Sequence, residues 1–298
     1  MKPAPFDYYA PKTLDDALAL LAQHGSDAKP LAGGQSLIPA MNFRLAMPAV
    51  LVDLNNVPGL SYVAQPQDGA RGLNIGGMTR QRDVERSPLV SERVPLIAET
   101  MPHVAHAAIR NRGTIGGSLA HADPAAELPA VVLALGAALT LTSKSGTRAV
   151  PASEFFLGLF TTAVQPGEIL TQIHVPPRPA RSGFAFEEIS RRHGDFALVG
   201  VAAAVQLDER GDCAAARIAL LSVGDRPMLA EHAARTLVGH RPEPELLRAA
   251  ADAAAASDID PSSDIHASAR FRRQLANVLT RRALGRAFER ATRDLDRD

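Results

Sequence analysis

The sequence predicts a two-domain protein that mixes helices and strands. Its 298 residues exceed the usual domain size of roughly 100 to 200 residues. Helix-like and strand-like periodicities alternate along the first part of the chain, and strand-like runs followed by helical ones fill the rest. The cluster Pro176-Pro177-Arg178-Pro179 lies between these parts, and proline ends regular structure. We therefore expect one domain over residues 1–177 and a second over residues 183–290.

The first elements have the order helix, strand, glycine turn, helix and strand. Thr13–Asp16 resembles a capping box with Asp in place of Glu, which predicts the start of the first helix. The next elements are a short apolar strand at Pro30–Ala32, the turn Gly33–Ser36, a helix near Leu37–Leu45 and a strand at Val50–Leu54.

The remainder of the first domain continues this alternation. It contains a strand at Leu73–Gly77, a helix through Val84 that Thr79 can cap, a helix at Pro95–Ala108, a loop at Asn111–Glu127, a helix at Ala130–Leu135 and strands at Ala137–Thr142 and Ile169–Val175.

The second domain reads as three strands followed by three helices. The predicted strands are Phe184–Ser190, Val199–Leu207 and Ala214–Ser222, and the predicted helices are Leu229–Val238, Glu245–Ala256 and a long final helix with an apolar stripe through Leu275, Leu279 and Phe288.

Composition excludes several function classes. The 32 basic and 32 acidic side chains balance, so no overall field attracts nucleic acid or an anionic membrane. The one cysteine, Cys213, cannot form an internal disulfide or supply all four thiolates of an iron-sulfur cluster. We interpret Cys213 as a small strand residue. No run approaches the roughly 18 apolar residues of a membrane span, so we expect a cytoplasmic protein without direct membrane insertion.

Gly33-Gly34-Gln35-Ser36 is the first candidate binding loop. Two adjacent glycines between a strand and a helix let the backbone approach a ligand, because neither residue has a Cβ. Successive N–H groups, helped by the Gln35 amide and the Ser36 hydroxyl, can hold a diphosphate at the positive end of the following helix. The alternative is a tight turn in which Ser36 only caps that helix. The pattern is neither a Gly-x-Gly-x-x-Gly fingerprint nor a P-loop.

The loop Thr114–Pro124 repeats the glycine pair, as Gly116-Gly117, and adds hydroxyls, an imidazole and a carboxylate. Two such loops predict two backbone nests that grip the two phosphates of a dinucleotide. Asp123 and Glu127 can accept hydrogen bonds from ribose hydroxyls or adenine. The alternative for both carboxylates is placement at the N-terminus of a helix. We predict no catalytic residue and no metal site in this chain.

These motifs together resemble one family. The FAD-binding medium subunits of the molybdenum hydroxylases, relatives of xanthine dehydrogenase, show similar segments, and the carbon monoxide dehydrogenase type is the most similar. The resemblance covers nearly the whole chain and is carried by Ala32–Pro39, Arg112–Ser118, Asp123-Pro124, Glu127-Leu128-Pro129 and Arg191–Ala197.

The resemblance implies an α+β fold. It consists of an FAD-binding domain of the PCMH/VAO type with two lobes, at about residues 1–56 and 57–177, and a smaller carboxy-terminal α/β domain of the CO dehydrogenase flavoprotein type. FAD is expected to bind without a covalent bond, with both glycine loops on its diphosphate. These loops comprise Leu31, Ala32, Gly33, Gly34, Gln35, Ser36 and Leu37, and Thr114, Ile115, Gly116, Gly117 and Ser118.

The resemblance also assigns residues outside the two loops. His121, Asp123 and Glu127 are expected near FAD, the two carboxylates towards its adenosine half, and Ile169 and Leu170 are expected to form an apolar wall. The position of Phe196 is a tyrosine beside the isoalloxazine in the carbon monoxide dehydrogenase type, so stacking is retained here but a hydroxyl is lost. Gln35 replaces a histidine that is often found at its position. Both departures affect the redox tuning of the flavin and the choice of electron acceptor.

The implied function is electron transfer inside a larger enzyme. Electrons pass from [2Fe-2S] clusters of a small partner subunit through FAD to an external acceptor, while substrate is oxidised at a molybdenum cofactor in a large partner subunit. The resemblance implies that these clusters and the molybdenum cofactor lie on partners only, in a dimer of heterotrimers. Two alternatives are a self-sufficient flavin oxidoreductase and a non-catalytic scaffold subunit. The substrate and the acceptor stay open.

Overall fold

The amino-terminal lobe is a small parallel sheet with two helices. The computed structural model describes residues 2–66 and 72–295. Its first elements are β1 (Asp7–Tyr9), α1 (Leu14–His24), β2 (Ala28–Leu31), α2 (Leu37–Asn42) and β3 (Val50–Asp53). The strands pair in parallel in the order β1-β3-β2, so β2 and β3 present their carboxyl ends at the same edge. Thr13 caps α1 by accepting a hydrogen bond from the Asp16 amide, which confirms the predicted start of this helix.

The second lobe is an antiparallel sheet covered by short helices. Its elements are β4 (Val63–Ala64), β5 (Leu73–Gly76), α3 (Gln81–Arg86), α4 (Pro88–Arg93), α5 (Pro95–Thr100), α6 (Ala107–Arg110), α7 (Ile115–His121), α8 (Glu127–Ala134), β6 (Ala138–Ser143), β7 (Gly146–Pro151), α9 (Ala152–Phe155), β8 (Phe156–Gly158), β9 (Thr161–Thr162) and β10 (Ile169–Val175). The sheet order is β4-β5-β10-β6-β7, and Ile75, Leu139 and Ile173 are fully buried in its core.

The carboxy-terminal domain is a four-stranded antiparallel sheet with three helices. It contains β11 (Ser182–Ser190), β12 (Ala197–Leu207), β13 (Cys213–Leu221), β14 (Met228–Leu229), α10 (Glu231–Leu237), α11 (Pro244–Ser257) and α12 (Ala269–Leu295). Alternate residues of β11 face opposite sides. Ala185 packs into the core shared with α10–α12, whereas Phe184 and Phe186 pack into the core of the second lobe. Both faces of this sheet are therefore buried, one against the second lobe and the other against α10–α12.

Several predicted elements differ from the structure, among them the predicted loop Asn111–Glu127, which contains α7. The helix expected over Pro95–Ala108 is divided, because Pro102 in the tight turn Met101–His103 has no N–H to continue the ladder. Thr79 does not cap α3. Its hydroxyl donates to the Tyr62 carbonyl and accepts from the Tyr62 amide, so it joins β5 to the preceding loop.

Some arginines of α12 bond to other parts of the chain, whereas Arg270, Arg281 and Arg282 are exposed. Arg272 is buried and donates to the carbonyls of Leu198 and Ser222, and Arg290 pairs with Glu99 in the second lobe.

Within residues 2–66 and 72–295, no helix is both long and apolar enough to cross a membrane.

Candidate functional site

The two glycine loops, which belong to different lobes, pack backbone against backbone. A Cβ placed on Gly33 would overlap the Arg112 carbonyl oxygen and would lie 2.7 Å from the Gly113 Cα. A Cβ placed on Gly117 would lie 3.5 Å from the Cβ of Ala32. Only glycine at position 33 permits this approach. The glycine in the sequence pattern is therefore required by the contact between the two lobes.

The first loop exposes backbone donors. It follows β2 and precedes α2, as predicted, and Gly34 has a φ of 72°, which favours glycine. Within the described chain, the N–H groups of residues 33–36 have no hydrogen-bond acceptor. Ser36 stands before α2 but its hydroxyl makes no capping bond, so the alternative in which Ser36 only caps the helix is not seen and the hydroxyl is free for a ligand. The Gln35 side chain instead donates to the Gly33 carbonyl over 3.2 Å.

The second loop is a helix start and not a nest. Gly116 and Gly117 lie in the first turn of α7, where the Gly117 amide donates to the Thr114 hydroxyl over 3.0 Å. The Ile115 amide donates to the Thr79 carbonyl and the Gly116 amide to the Gly77 carbonyl. The expectation of a second backbone nest is therefore wrong, because these N–H groups already have acceptors. The glycines serve close packing, and Ser118 is half-buried beside them.

A third glycine, Gly77, supports the second loop. A Cβ on Gly116 would overlap the Gly77 backbone, and a Cβ on Gly77 would overlap the Leu170 carbonyl oxygen. The backbones of Gly116, Gly77 and Leu170 are thus stacked in this order. Ile169 and Leu170 are both buried, and Leu170 lies against Gly77. The adjacent pair Gly76-Gly77 at the end of a predicted strand was the sequence signal for this layer.

Asn55 and Arg80 connect the two loops, and sequence analysis did not single out either residue. The Asn55 amide donates to the Ala32 carbonyl over 3.0 Å, and Arg80 donates to the Asn55 oxygen over 2.6 Å. Arg80 also donates to the Arg112 carbonyl. Burial and the neighbouring charge of Arg112 lower the pKa of Arg80. Asn55, Arg80 and Arg112 come from separate segments, and no spacing in the sequence relates them.

His121 and Asp123 lie at the end of α7. The His121 ring is 5.0 Å from the ring of Phe160, centroid to centroid, and burial lowers the pKa of the imidazole. Asp123 accepts a hydrogen bond from the Ala125 amide over 2.9 Å, so one of its oxygens holds the turn before α8. The other oxygen is available to a ligand.

Glu127 and Glu188 form an acidic pair between the domains, in which Glu127 is buried and Glu188 is half-buried. Glu127 occupies the first turn of α8, in agreement with the helix-terminal alternative, and burial raises its pKa to about 7. Burial and the charge of Glu127 raise the pKa of Glu188, on β11, to about 8. One Glu188 oxygen is shielded from solvent and has no hydrogen-bond partner among the described residues. Glu188 was missed because its burial depends on packing between domains.

Phe196 lies in the loop before β12, and its side chain is 67 % exposed. The carbonyl of the next residue, Ala197, accepts from the Ser222 hydroxyl over 2.7 Å, and the Ser222 amide donates to the Pro124 carbonyl over 2.8 Å. These bonds connect the segment that carries Phe196 with the end of the second loop. The Phe196 ring is therefore exposed on a segment that hydrogen bonds join to the end of the second loop.

One cleft of the molecule lies outside the glycine loops. A cleft of about 380 Å³ lies between the domains, and its lining includes Glu99, Phe184 and Arg290 but no residue of either glycine loop. Among residues 2–66 and 72–295, no group of three or more His, Cys, Asp or Glu side chains is arranged to hold a metal ion. The unpaired amides of the first loop fit the diphosphate of a dinucleotide such as FAD, and the glycines of the second loop let it pack close beside them.

Cys213 is buried at the start of β13, and burial raises the pKa of its thiol to about 11. A thiol with this pKa carries little thiolate near neutral pH. The structure supports its interpretation as a small strand residue.

Comparison with known proteins covers both domains. Residues 4–178 match the FAD binding domain in molybdopterin dehydrogenase, and residues 184–287 match the CO dehydrogenase flavoprotein C-terminal domain. The chain is 43% identical to the 6-hydroxypseudooxynicotine dehydrogenase complex subunit alpha of Paenarthrobacter nicotinovorans, over 98% of this chain and 97% of that protein. It is 42% identical to the carbon monoxide dehydrogenase medium chain of Afipia carboxidovorans, over 98% and 99%.

A solved structure agrees with these sequence matches. Carbon monoxide dehydrogenase from Hydrogenophaga pseudoflava contains a chain that superposes with a TM-score of 0.93 at 40% identity, covering 97% of this chain and 99% of that one. The α+β fold expected from the sequence is confirmed.

Proposed function

This chain belongs to the FAD-binding medium subunits of the molybdenum hydroxylases, and we propose that it is the electron-transfer subunit of such an enzyme. When bound, FAD supplies the exchange of electrons between [2Fe-2S] clusters of a small partner subunit and an external acceptor. A large partner subunit holds the molybdenum cofactor where substrate is oxidised. The assembly we propose is a dimer of heterotrimers.

The unpaired N–H groups of residues 33–36 are the observation that carries this proposal. They bind the diphosphate of FAD, because anionic oxygens satisfy several adjacent amides at once. The free hydroxyls of Ser36 and Ser118 add donors. The second loop contributes mainly by its glycines, which let it lie close enough to the first loop to close the other side of the diphosphate.

The remaining site residues orient the ends of the cofactor. Asp123 and Glu127 accept hydrogen bonds from ribose hydroxyls, with the free Asp123 oxygen as the first candidate. The exposed Phe196 ring stacks on the isoalloxazine without adding a hydrogen bond. Ile169 and Leu170 exclude water behind the loops.

The assignment of partners is supported by the relatives. Their names describe one as a subunit of a complex and another as a medium chain. The domain boundary that we propose lies between residues 177 and 183, where the family matches also separate.

Two measurements test the proposal. The purified chain, freed of flavin and then reconstituted, is expected to show a flavin absorption spectrum with FAD but not with FMN, which has no diphosphate. Native mass spectrometry of the endogenous complex is expected to show two further subunits, one with molybdenum and one with iron. Absence of FAD binding would contradict the flavin role. A chain that binds FAD but is isolated alone and oxidises a substrate would instead be a self-sufficient oxidoreductase.

A further inference from the structure

Arg80 links the two glycine loops although it belongs to neither, through Asn55 on one side and the Arg112 carbonyl on the other. It is the residue before α3, and its side chain is half-buried where the two lobes meet. One end of the guanidinium donates to the Asn55 side chain over 2.6 Å, and the other end donates to the Arg112 carbonyl. A guanidinium has donors that point in several fixed directions, so one side chain can hold two acceptors at a set separation.

The Asn55 end of this bridge reaches the first loop. The Asn55 amide donates to the Ala32 carbonyl over 3.0 Å, immediately before Gly33. Asp53 fixes Asn55 by accepting from its backbone amide over 2.9 Å and from its side chain. Tyr8 in turn donates to the second Asp53 oxygen over 2.5 Å. Asn55 is therefore held by β1 and β3 and cannot move independently of the first lobe.

The Arg112 end of the bridge reaches the second loop at its contact with the first. The Arg112 carbonyl that accepts from Arg80 is the same group that a Cβ on Gly33 would overlap. Arg80 thus acts at the point where the loops touch. An Arg80–Thr114 bridge between backbones places Arg80 beside the start of α7 as well.

We infer that Arg80 is a positioning residue for FAD, which sets the separation of the two glycine loops by bonding at once to Asn55 and to the Arg112 carbonyl. The inference rests on the proposed binding of the FAD diphosphate between these loops. Displacement of one loop by about 1 Å is enough to weaken the contacts that a bound group makes in a preorganised site. Arg80 and Arg112 also place two positive charges beside the site, which favours an anionic ligand.

The test uses the full chain, reconstituted with FAD, and measures the dissociation constant by flavin fluorescence. Arg80→Met is expected to weaken FAD binding by about tenfold, the effect of one or two hydrogen bonds from a charged donor at a partly exposed position. Asn55→Ala is expected to give a similar loss. The double variant is expected to be little weaker than either single variant, because both changes break the same bridge.

Arg80→Lys separates positioning from charge. Lysine keeps the positive charge but cannot bond in two fixed directions, so the expected FAD affinity stays near that of Arg80→Met. Arg86→Met, at an exposed position on α3, is the matched control and is expected to bind FAD as the wild type does. Full recovery by Arg80→Lys, or additive losses in the double variant, would overturn the inference.

The melting temperature of the FAD-free chain distinguishes positioning from folding. We expect Arg80→Met to melt close to the wild type without FAD and to gain less stability when FAD is added. An equal loss with and without FAD would show that Arg80 only supports the fold. A wild-type chain that does not bind FAD would instead contradict the proposed function, whatever the variants do.

Discussion

At the scale of single residues, most glycines of the site are required because a Cβ would overlap a neighbouring atom, and not because of their backbone φ. Gly34 has a positive φ, whereas Gly33, Gly77 and Gly116 are required because a Cβ would overlap a neighbouring backbone. Gly117 differs from both groups, since its Cβ would lie 2.7 Å from the Thr114 hydroxyl and face Ala32 of the first loop.

Gly117→Val is therefore expected to abolish FAD retention while the fold is largely kept. The branched side chain displaces the Thr114 hydroxyl and occupies the surface between the loops. The ratio of flavin to protein absorbance after purification measures retention, and circular dichroism measures the fold. Gly285→Val on α12, where a Cβ would meet no atom within 4 Å, is the control. Unchanged flavin content in Gly117→Val would contradict the assignment of the second loop.

Glu127 and Glu188 predict a pH dependence of stability. Their pKa values in the folded chain, about 7 and about 8, lie above those of an unfolded glutamic acid. The folded state therefore binds protons more tightly, and the stability that this provides is complete below about pH 4.5 and is lost as the pH rises through 7 to 8. The charge of Asp123 also raises the pKa of Glu127, and the charge of Arg110 lowers it.

Glu188→Gln is expected to flatten this pH dependence. Glutamine resembles the protonated acid and leaves Glu127 without a like charge opposite it. The free energy of unfolding of the variant, relative to that of the wild type, is therefore expected to rise by on the order of 1 to 3 kcal/mol between pH 5 and pH 8. Urea denaturation at a series of pH values gives both curves. The histidines contribute equally to each curve, so their difference isolates Glu188. Parallel curves would refute the buried pair.

At the scale of elements, local signals predicted the first loop better than the second. The order β2, glycine turn, α2 and β3 followed from apolar runs separated by glycine, all within one stretch of sequence. The glycine pair in α7 was assigned to a nest because the acceptor of the Gly116 amide, the Gly77 carbonyl, lies in another segment, as does the Thr79 carbonyl that accepts from Ile115. Arg80 and Glu188 could not be found for the same reason, since their roles arise only from contacts between distant segments.

Thr114→Val tests the role of the α7 cap. The Thr114 hydroxyl accepts from the Gly117 amide, and loss of an N-cap costs about 1 kcal/mol. Because α7 has only seven residues, we expect the second loop to shift and FAD to bind about fivefold or more weakly. Thr13→Val removes the equivalent cap of α1 and should cost similar stability without changing the FAD dissociation constant. Equal FAD affinity in both variants would contradict the proposed coupling.

At the scale of the whole molecule, ion pairs tie the last helix to the flavin-binding domain. Glu99 on α5 accepts from Arg286 over 2.6 Å and from Arg290 over 2.5 Å, and both arginines lie on α12. Arg286 also pairs with Glu187 on β11. Glu99 is thus the point where the flavin-binding domain, the carboxy-terminal sheet and α12 meet. It also lines a cleft with Arg178 of the linker between the domains.

Glu99→Gln is expected to loosen the contact between the domains and to destabilise the chain by about 1 to 3 kcal/mol, since two partly buried arginines lose their carboxylate. The linker contains Arg181 followed by Ser182, so limited trypsin digestion is expected to cleave after Arg181 sooner than in the wild type, whereas Arg178 is protected because Pro179 follows it. Glu231→Gln is the control, because Glu231 pairs only with the nearby Arg235 on the exposed face of α10 among the described residues. If both variants were cleaved at the wild-type rate, the Glu99 pairs would not hold the domains together. FAD content should fall less than in Gly117→Val, because Glu99 lies outside both glycine loops.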